Sequence, residues 1–327
     1  MCLANWPLPL TLHTMQHAPV RLGGGGARCR GRRVGVQLVL LLATLLATLL
    51  ATLLAMQAAL AQAPLAQELR QRHADLSQAL ARSAFGRPLL LQSQHGRDTD
   101  EGVVEAVLDA PLDRVQALAS PQRWCDVLML HQTTHRCRVA PDGRQLDVQL
   151  SNKSGLGGQL LNLRLNFEAS VFKGELLTVR LEAAQGPLGS REYRIRLEAT
   201  ALPSGQSFMR FRYSYGFGLL ARLAMQGYLS TRAQEKIGFS LEPGPGGSLQ
   251  PVRGMRGVIE RNTLRYFLAI EVLLHTLELP PAQIERRLLA WFDATEQYAR
   301  QLHELDRAEY LALKRRQLGL DPRGSVQ

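Results

Sequence analysis

The stretch from Arg256 to Leu279, closed by Pro280 and Pro281, most limits what this chain can become. Met255, Ile259, Asn262, Tyr266, Ile270, Leu273 and Leu277 recur at helical spacing and make one face, which Leu264, Leu268 and Val272 widen. The spacing predicts one long helix. The prolines end it, because a pyrrolidine ring cannot continue an i to i−4 ladder. Ahead of it, Glu101 to Phe217 reads mostly as strand. A wide apolar helix needs a surface to lie on, and an antiparallel sheet with one dry face supplies one. The expected class is α+β: a curved antiparallel sheet wrapped around a long C-terminal helix, with extra helices at both ends.

The strands announce themselves by period-two alternation. In Glu101 to Leu108, Val103, Glu105 and Val107 alternate against Val104, Ala106 and Leu108. Pro111 to Ala119 predicts a short helix, and Ser120-Pro121 opens a second through Trp124 to Leu130. A meander follows over 136–139, 145–151, 161–172, 176–184, 193–202 and 208–217. Its turns lie at Pro141-Asp142-Gly143, Lys173-Gly174-Glu175, Gly186-Pro187 and Pro203-Ser204-Gly205. Arg194, Arg196 and Glu198 face one way, against Tyr193, Ile195, Leu197 and Ala199. Ile237 to Leu241 reads as one more short strand, and Glu242 to Gln250 as a Pro/Gly/Ser linker. Pro64 to Phe85 predicts an early helix striped by Leu65, Leu69, Leu76 and Leu80. A second late helix is expected from Ile284 to Arg316. The division that results is 1–61 (N-terminal extension and signal peptide), 62–88 (helix), 89–279 (main domain), 280–316 (helix) and 317–327 (disordered tail).

Val34 to Met56 is an uncharged apolar run with a repeated ATLL unit. Arg21, Arg28, Arg30, Arg32 and Arg33 precede it, and no acid does. Ala59-Leu60-Ala61 fits the small-x-small rule, so the pattern is that of a secretory signal cut after Ala61. The alternative is an uncleaved anchor, since a span takes roughly 20 residues. Either way the chain is expected outside the cytoplasm, periplasmic or secreted. The full chain carries a net charge of +11; without residues 1–61 it has 34 basic and 28 acidic groups, a net of +6. That balance argues for no nucleic-acid partner and leaves contact with a membrane surface open.

Of four cysteines, Cys2 and Cys29 lie before the apolar run, leaving Cys125 and Cys137. In an oxidising compartment they form a natural disulfide pair. The alternatives are free thiols, or a zinc site with His131 and His135. A helix and the next strand carry the two cysteines, which suits a bridge better, so no metal is expected. Such a bridge adds about 2–3 kcal/mol by the loop-entropy estimate.

Arg256, Arg261 and Arg265 gather near the start of the long helix with Arg253, where an anionic headgroup could dock. The other reading is a solvated face with Glu260 as local partner. Asn262 and Tyr266 fall on the inner face, and a buried Asn must find hydrogen bonds. Gly216 to Tyr228 is apolar but for Arg222, as a lid or an ordinary core helix would be. No nucleophile elbow, Walker loop, dinucleotide fingerprint or HExxH is present, so no catalytic residue and no cofactor is expected.

The segment EGVVEAVLDAPLDRVQALASPQRWCDVL, Glu101 to Leu128, resembles the opening of the helix-grip fold of START-like (SRPBCC) proteins: a strand, a Pro-initiated helix, and a Ser-Pro-x-x-Trp step into a second helix. The resemblance extends over about Leu89 to Leu279. It implies a cavity between sheet and long helix that accepts an apolar ligand. Asn262, Tyr266, Ile270, Leu273, Tyr213 and Phe217 are the expected lining. The function that follows is an exported binding protein for a lipid or other hydrophobic small molecule. The alternatives are an enzyme of cyclase or hydrolase type on the same fold, or a ligand-free structural envelope protein.

Overall fold

The computed structural model describes residues 29–96, 98–151, 160–218 and 236–320. The glycine turn at Gly155 to Gly158, most of the apolar segment up to Tyr228, and the tail after Leu320 lie outside the described residues. The chain falls into two units that part between Gln57 and Ala58.

Helix α1 (Cys29–Ala81) contributes to both units. It does not begin at Pro64, as expected; Pro64 lies inside it, between Ala- and Leu-rich flanks that are strong helix formers. In the first unit, side chains are described for residues 41–50, and Leu41, Leu42, Leu45, Leu46, Leu49 and Leu50 are all exposed. Among the described residues, no helix is long and apolar enough to cross a membrane.

The second unit is built on one open, eight-stranded antiparallel sheet in the order β1-β2-β8-β7-β6-β5-β4-β3. The strands are β1 (Leu89–His95), β2 (Thr99–Leu108), β3 (Thr134–Val139), β4 (Gln145–Ser151), β5 (Leu160–Phe172), β6 (Leu176–Gln185), β7 (Ser190–Ala201) and β8 (Ser207–Phe217). Side chains alternate across the sheet. Val104, Phe211, Leu197 and Val179 point inward in one cross-strand row, while Glu105, Arg210 and Glu198 share an outward one. Two short helices, α2 (Leu112–Val115) and α3 (Pro121–Leu130), are joined by a 3-10 turn over Gln116–Ala119. They cover the inner face over β3 to β7. Trp124 is fully buried, and its Nε1 donates to the Leu118 carbonyl at 2.8 Å, closing that turn.

The long helix α4 (Gly254–His275) lies on the inner face against β1, β2 and β8. This is the helix-grip arrangement. Gly102 on β2 makes the close approach possible: a Cβ there would stand 2.1 Å from Thr263 Oγ1. Ile259, Leu264, Phe267, Ile270 and Leu273 are each 0 % exposed, and burying one such side chain stabilises by about 1.5–3 kcal/mol. The helix ends four residues before its expected end. Thr276 Oγ1 donates to the Val272 carbonyl at 2.6 Å, and Arg287 donates to both Thr276 Oγ1 and O at 2.8 Å. Those bonds satisfy the last turn before the prolines are reached.

Two further expectations are corrected. The segment read as a linker is a small hairpin, β9 (Leu241–Pro243) with β10 (Leu249–Pro251), turned through Gly246 and Gly247 at positive φ. The expected strand from Ile237 to Leu241 starts only at its last residue. The single late helix is three: α5 (Ile284–Glu296), α6 (Ala299–Leu302) and α7 (Arg307–Leu318). Asp306 breaks the run because its side chain and Glu309 form a reciprocal capping box.

The outer face carries its own smaller core. From Ala58 onward α1 lays Ala66, Leu69 and Leu80 on Leu176, Leu202 and Phe208. Arg72 holds Glu105 through two bonds of 2.8 Å, and Arg210 bridges Glu198 at 2.7 Å and Glu68 at 2.8 Å.

Candidate functional site

The inner face is apolar along most of its length and changes character at one end. There β8 presents Tyr213, Tyr215 and Phe217 at every second position. Helix α4 brings Asn262 and Tyr266, one turn apart, to the same corner, and His131 enters from the C-terminus of α3. The rings form a chain. Tyr193 stacks on Tyr215 at 5.6 Å, Tyr213 meets Tyr266 edge-on at 5.3 Å, and Tyr266 stacks on His131 at 5.1 Å. Trp291 of α5 continues it to Tyr310 of α7 at 5.2 Å. Aromatic pairs at such spacings add to their burial energy.

Four of the tyrosines, Tyr193, Tyr213, Tyr215 and Tyr266, have hydroxyls pushed upward in pKa, chiefly by burial, so all stay protonated as donors at neutral pH. His131 moves the other way, well below its ordinary value. Burial does most of this, the positive charges of Arg265 and Lys314 add to it, and the Asn262 side chain opposes it. The ring is therefore neutral, and its tautomer follows from one contact. The Thr133 backbone N–H, which can only donate, points at Nδ1 from 3.2 Å, with Thr133 Oγ1 at 2.8 Å. Nδ1 is the acceptor, so the proton sits on Nε2. That buried Nε2–H has no hydrogen-bond partner of ordinary geometry among the described residues.

Lys314 of α7 supports this corner from behind. It is fully buried, and its Nζ donates to the carbonyls of His131 at 2.7 Å and Thr134 at 2.9 Å and to Gln317 Oε1 at 2.9 Å. Burial without a carboxylate partner pushes its pKa down to about 7. Tyr310 OH donates to the Leu130 carbonyl at 2.9 Å, so α7 clasps the end of α3 at two points.

Of the residues expected to line a pocket, Asn262, Tyr266 and Tyr213 come together at this corner, and Phe217 joins through Tyr215 at 6.4 Å. Ile270 and Leu273 lie further along α4 in the apolar core. The three arginines expected to gather around an anion take different partners. Arg256 pairs with Glu242 at 3.0 Å, Arg261 donates to the Ile237 carbonyl at 3.2 Å, and Arg265 is buried against the Leu302 carbonyl at 2.9 Å and Glu304 at 3.0 Å. Glu260 turns inward, where it accepts from the backbone N–H groups of Phe239 and Ser240. Cys125 on α3 and Cys137 on β3 form a disulfide, with Cα atoms 5.3 Å apart. Among the described residues no cluster of His, Cys, Asp or Glu is placed to hold a metal ion. Reading the sequence placed His131 only beside the cysteines, and Lys314 nowhere. Their partners are distant in the chain, and no local pattern marks them.

The cavities among the described residues include two of note. One, of about 20 Å³, lies between Gln132, Trp291 and Tyr310 and has room for about one water. The other, of about 150 Å³, is polar and opens on the outer face of the sheet at Glu101, Arg194, Arg196, Arg212 and Ser214.

No protein-family model matches the chain, and no curated protein matches it. Among solved structures, Ara h 8.0201 is 10 % identical over 54 % of this chain and 99 % of its own, with a TM-score of 0.33. A START superfamily protein from Mycobacterium smegmatis is 14 % identical over 55 % of this chain and 99 % of its own, with a TM-score of 0.32. Human StAR-related lipid transfer protein 5 is 9 % identical over 51 % of this chain and 89 % of its own, with a TM-score of 0.28. These are likenesses of fold, and nothing about a ligand rests on them.

Proposed function

We propose that this chain is an exported binding protein that holds a lipid or other hydrophobic small molecule between the sheet and α4. The ligand's one polar group turns to the corner of His131, Asn262 and Tyr266, with Tyr213 and Phe217 beside it and Ile270 and Leu273 on the apolar side. One observation carries the reading: a neutral histidine in an aromatic interior offers an Nε2–H donor that, among the described residues, meets no acceptor in ordinary hydrogen-bond geometry, with the Asn262 side chain near enough to act on the ring. An oxygen acceptor on a bound molecule would complete it, and the surrounding rings would bury the rest. Export is supported by the arginine-flanked apolar run and by the Cys125–Cys137 bridge, which persists in oxidising compartments.

Mass spectrometry of an organic extract of the purified protein tests this. A stoichiometric apolar molecule bearing an oxygen acceptor is expected, and His131→Phe, which keeps a planar ring but removes the donor, should release it. A clean extract with no uptake of added lipids would leave a structural protein with a filled interior. The neutral imidazole could also serve as a proton acceptor, so an enzyme is the competing reading; it would show as conversion of the extracted molecule. N-terminal sequencing of exported chain checks processing. A new terminus at Gln62 fits a cut signal, and an intact leader fits an anchor.

A further inference from the structure

Among the described residues, only α1 packs on the outer face of the sheet. Helix α1 crosses β2 and β8 at Glu105, Phe208 and Arg210, and beyond it no described element packs on the face. There Arg180 on β6 stands directly opposite Arg196 on β7, and Arg196 directly opposite Arg212 on β8. Side chains so paired are about 4.5–5.5 Å apart at Cβ, and like charges there repel. The row begins with Glu168 on β5, opposite Arg180, and then runs through three arginines in succession, whereas the neighbouring rows set no two arginines side by side: Glu182, Arg194, Ser214 and Glu101 in one, Glu198, Arg210 and Glu105 in the other. The carboxylates near the row hold it weakly. Arg180 reaches Glu168 at 3.6 Å, and Arg212 reaches Glu198 only at 3.9 Å, because Arg210 already holds that glutamate at 2.7 Å. Arg194 and Arg196 have exposed partners, Glu192 at 3.4 Å and Glu182 at 3.1 Å, and exposed pairs contribute little.

The row also borders a cavity. Arg194, Arg196 and Arg212, with Ser214 and Glu101, line the polar space of about 150 Å³. The strand beside it is bulged: β7 slips register between Arg191 and Arg194, with Glu192 at φ 52. Bulges of this kind re-aim side chains and concentrate next to binding sites. We propose that this cavity is a binding site for a phosphate-bearing ligand. Arg196 and Arg212 clamp the phosphate oxygens in the planar, two-pronged manner that guanidinium allows, Arg194 closes the side, and Ser214 donates. Glu101 lines the same space, and Glu192, Glu182 and Glu198 partner the arginines from its rim, so a phosphate competes with these carboxylates for the guanidinium groups. The site is separate from the inner corner and does not depend on what that corner binds.

Arginine footprinting with phenylglyoxal on the full-length protein, read by mass spectrometry, is the test. Pyrophosphate at ten times its Kd should slow modification of Arg196 and Arg212 about tenfold and leave Arg136 and Arg138 on β3 unaffected. Sodium chloride at matched ionic strength should protect none. Equal protection of all four arginines, or no protection, would overturn the site. Pyrophosphate should also raise the thermal midpoint, and the Arg196→Gln, Arg212→Gln double variant should lose that rise while its own midpoint stays level or climbs; a rise retained there would equally overturn it. Vesicles identify the source. Protection by phosphatidic acid in phosphatidylcholine, absent with phosphatidylcholine alone, marks a membrane headgroup, whereas protection by pyrophosphate only marks a soluble phosphate.

Discussion

The two faces of the sheet are covered in opposite ways. The inner face takes α2, α3 and α4 over its breadth and buries residues such as Phe211 and Phe267 completely. The outer face takes one stretch of α1, and beneath it pairs charges as much as it packs side chains: Glu105 is 3 % exposed but held by Arg72, and Arg210 is 7 % exposed but held by two glutamates. The same strands supply both. Apolar burial on the inner side is non-directional and scales with area, so it dominates stability. Ion pairs on the outer side offset their own desolvation and add less.

Substitutions on each side should rank accordingly. Phe267→Ala on α4 should cost about 3–5 kcal/mol, and Leu69→Ala on α1 should fall at the lower end of about 2–5 kcal/mol, because its cluster is smaller and stands at the surface. Denaturant midpoints measure both, and a larger loss at Leu69 would reverse the comparison. Gly102→Ala attacks the grip directly by setting a methyl against Thr263, and overpacking of this kind costs about 1–3 kcal/mol. Thr263→Ala in the same chain should recover part of it in a double-mutant cycle, and full additivity would show that helix and strand do not meet there.

The charge response separates the faces further. Native Lys314 loses its proton at about pH 7, while in the unfolded chain it keeps one to the ordinary value of 10.5. Between those values the unfolded chain binds more protons, so stability should rise with pH across that window, and Lys314→Met should flatten the rise. His131, held neutral, acts in the same direction at lower pH: its contribution is full above 6.5 and is lost as pH falls below that value. Urea midpoints from pH 5 to 9 for both chains check this. The smallest effect belongs to the exposed outer pair of Arg164 and Asp147, 2.6 Å apart, where Arg164→Ala should leave the midpoint unchanged. A measurable loss there would mean that outer pairs count for more than their exposure suggests.

Much of the frame was legible along the chain. Alternation in Glu101 to Leu108 and in Tyr193 to Ala199 marks each strand's dry side, because a period of two is a local property. The hairpin at Leu241 to Pro251 was not legible, since three-residue strands ending in proline carry no alternation to read. The end of α4 is hidden from the sequence for a different reason. Prolines are visible in the sequence, but the Thr276 bonds that stop the helix depend on Arg287 arriving from α5. Asn262 and Tyr266 could be placed on one helical face from spacing alone. His131 and Lys314 could not be linked, because 183 residues separate them.

Local order thus determined most of the strands, their faces and the existence of the gripping helix, and left the pairing of Cys125 with Cys137 as one of three readings that the structure decided. Tertiary structure decided which buried groups keep their protons, which arginines are spent inside and which stand in a row outside. Periodicity is written residue by residue, whereas a proton's affinity and a charge's neighbours are set by whichever distant segments fold against them.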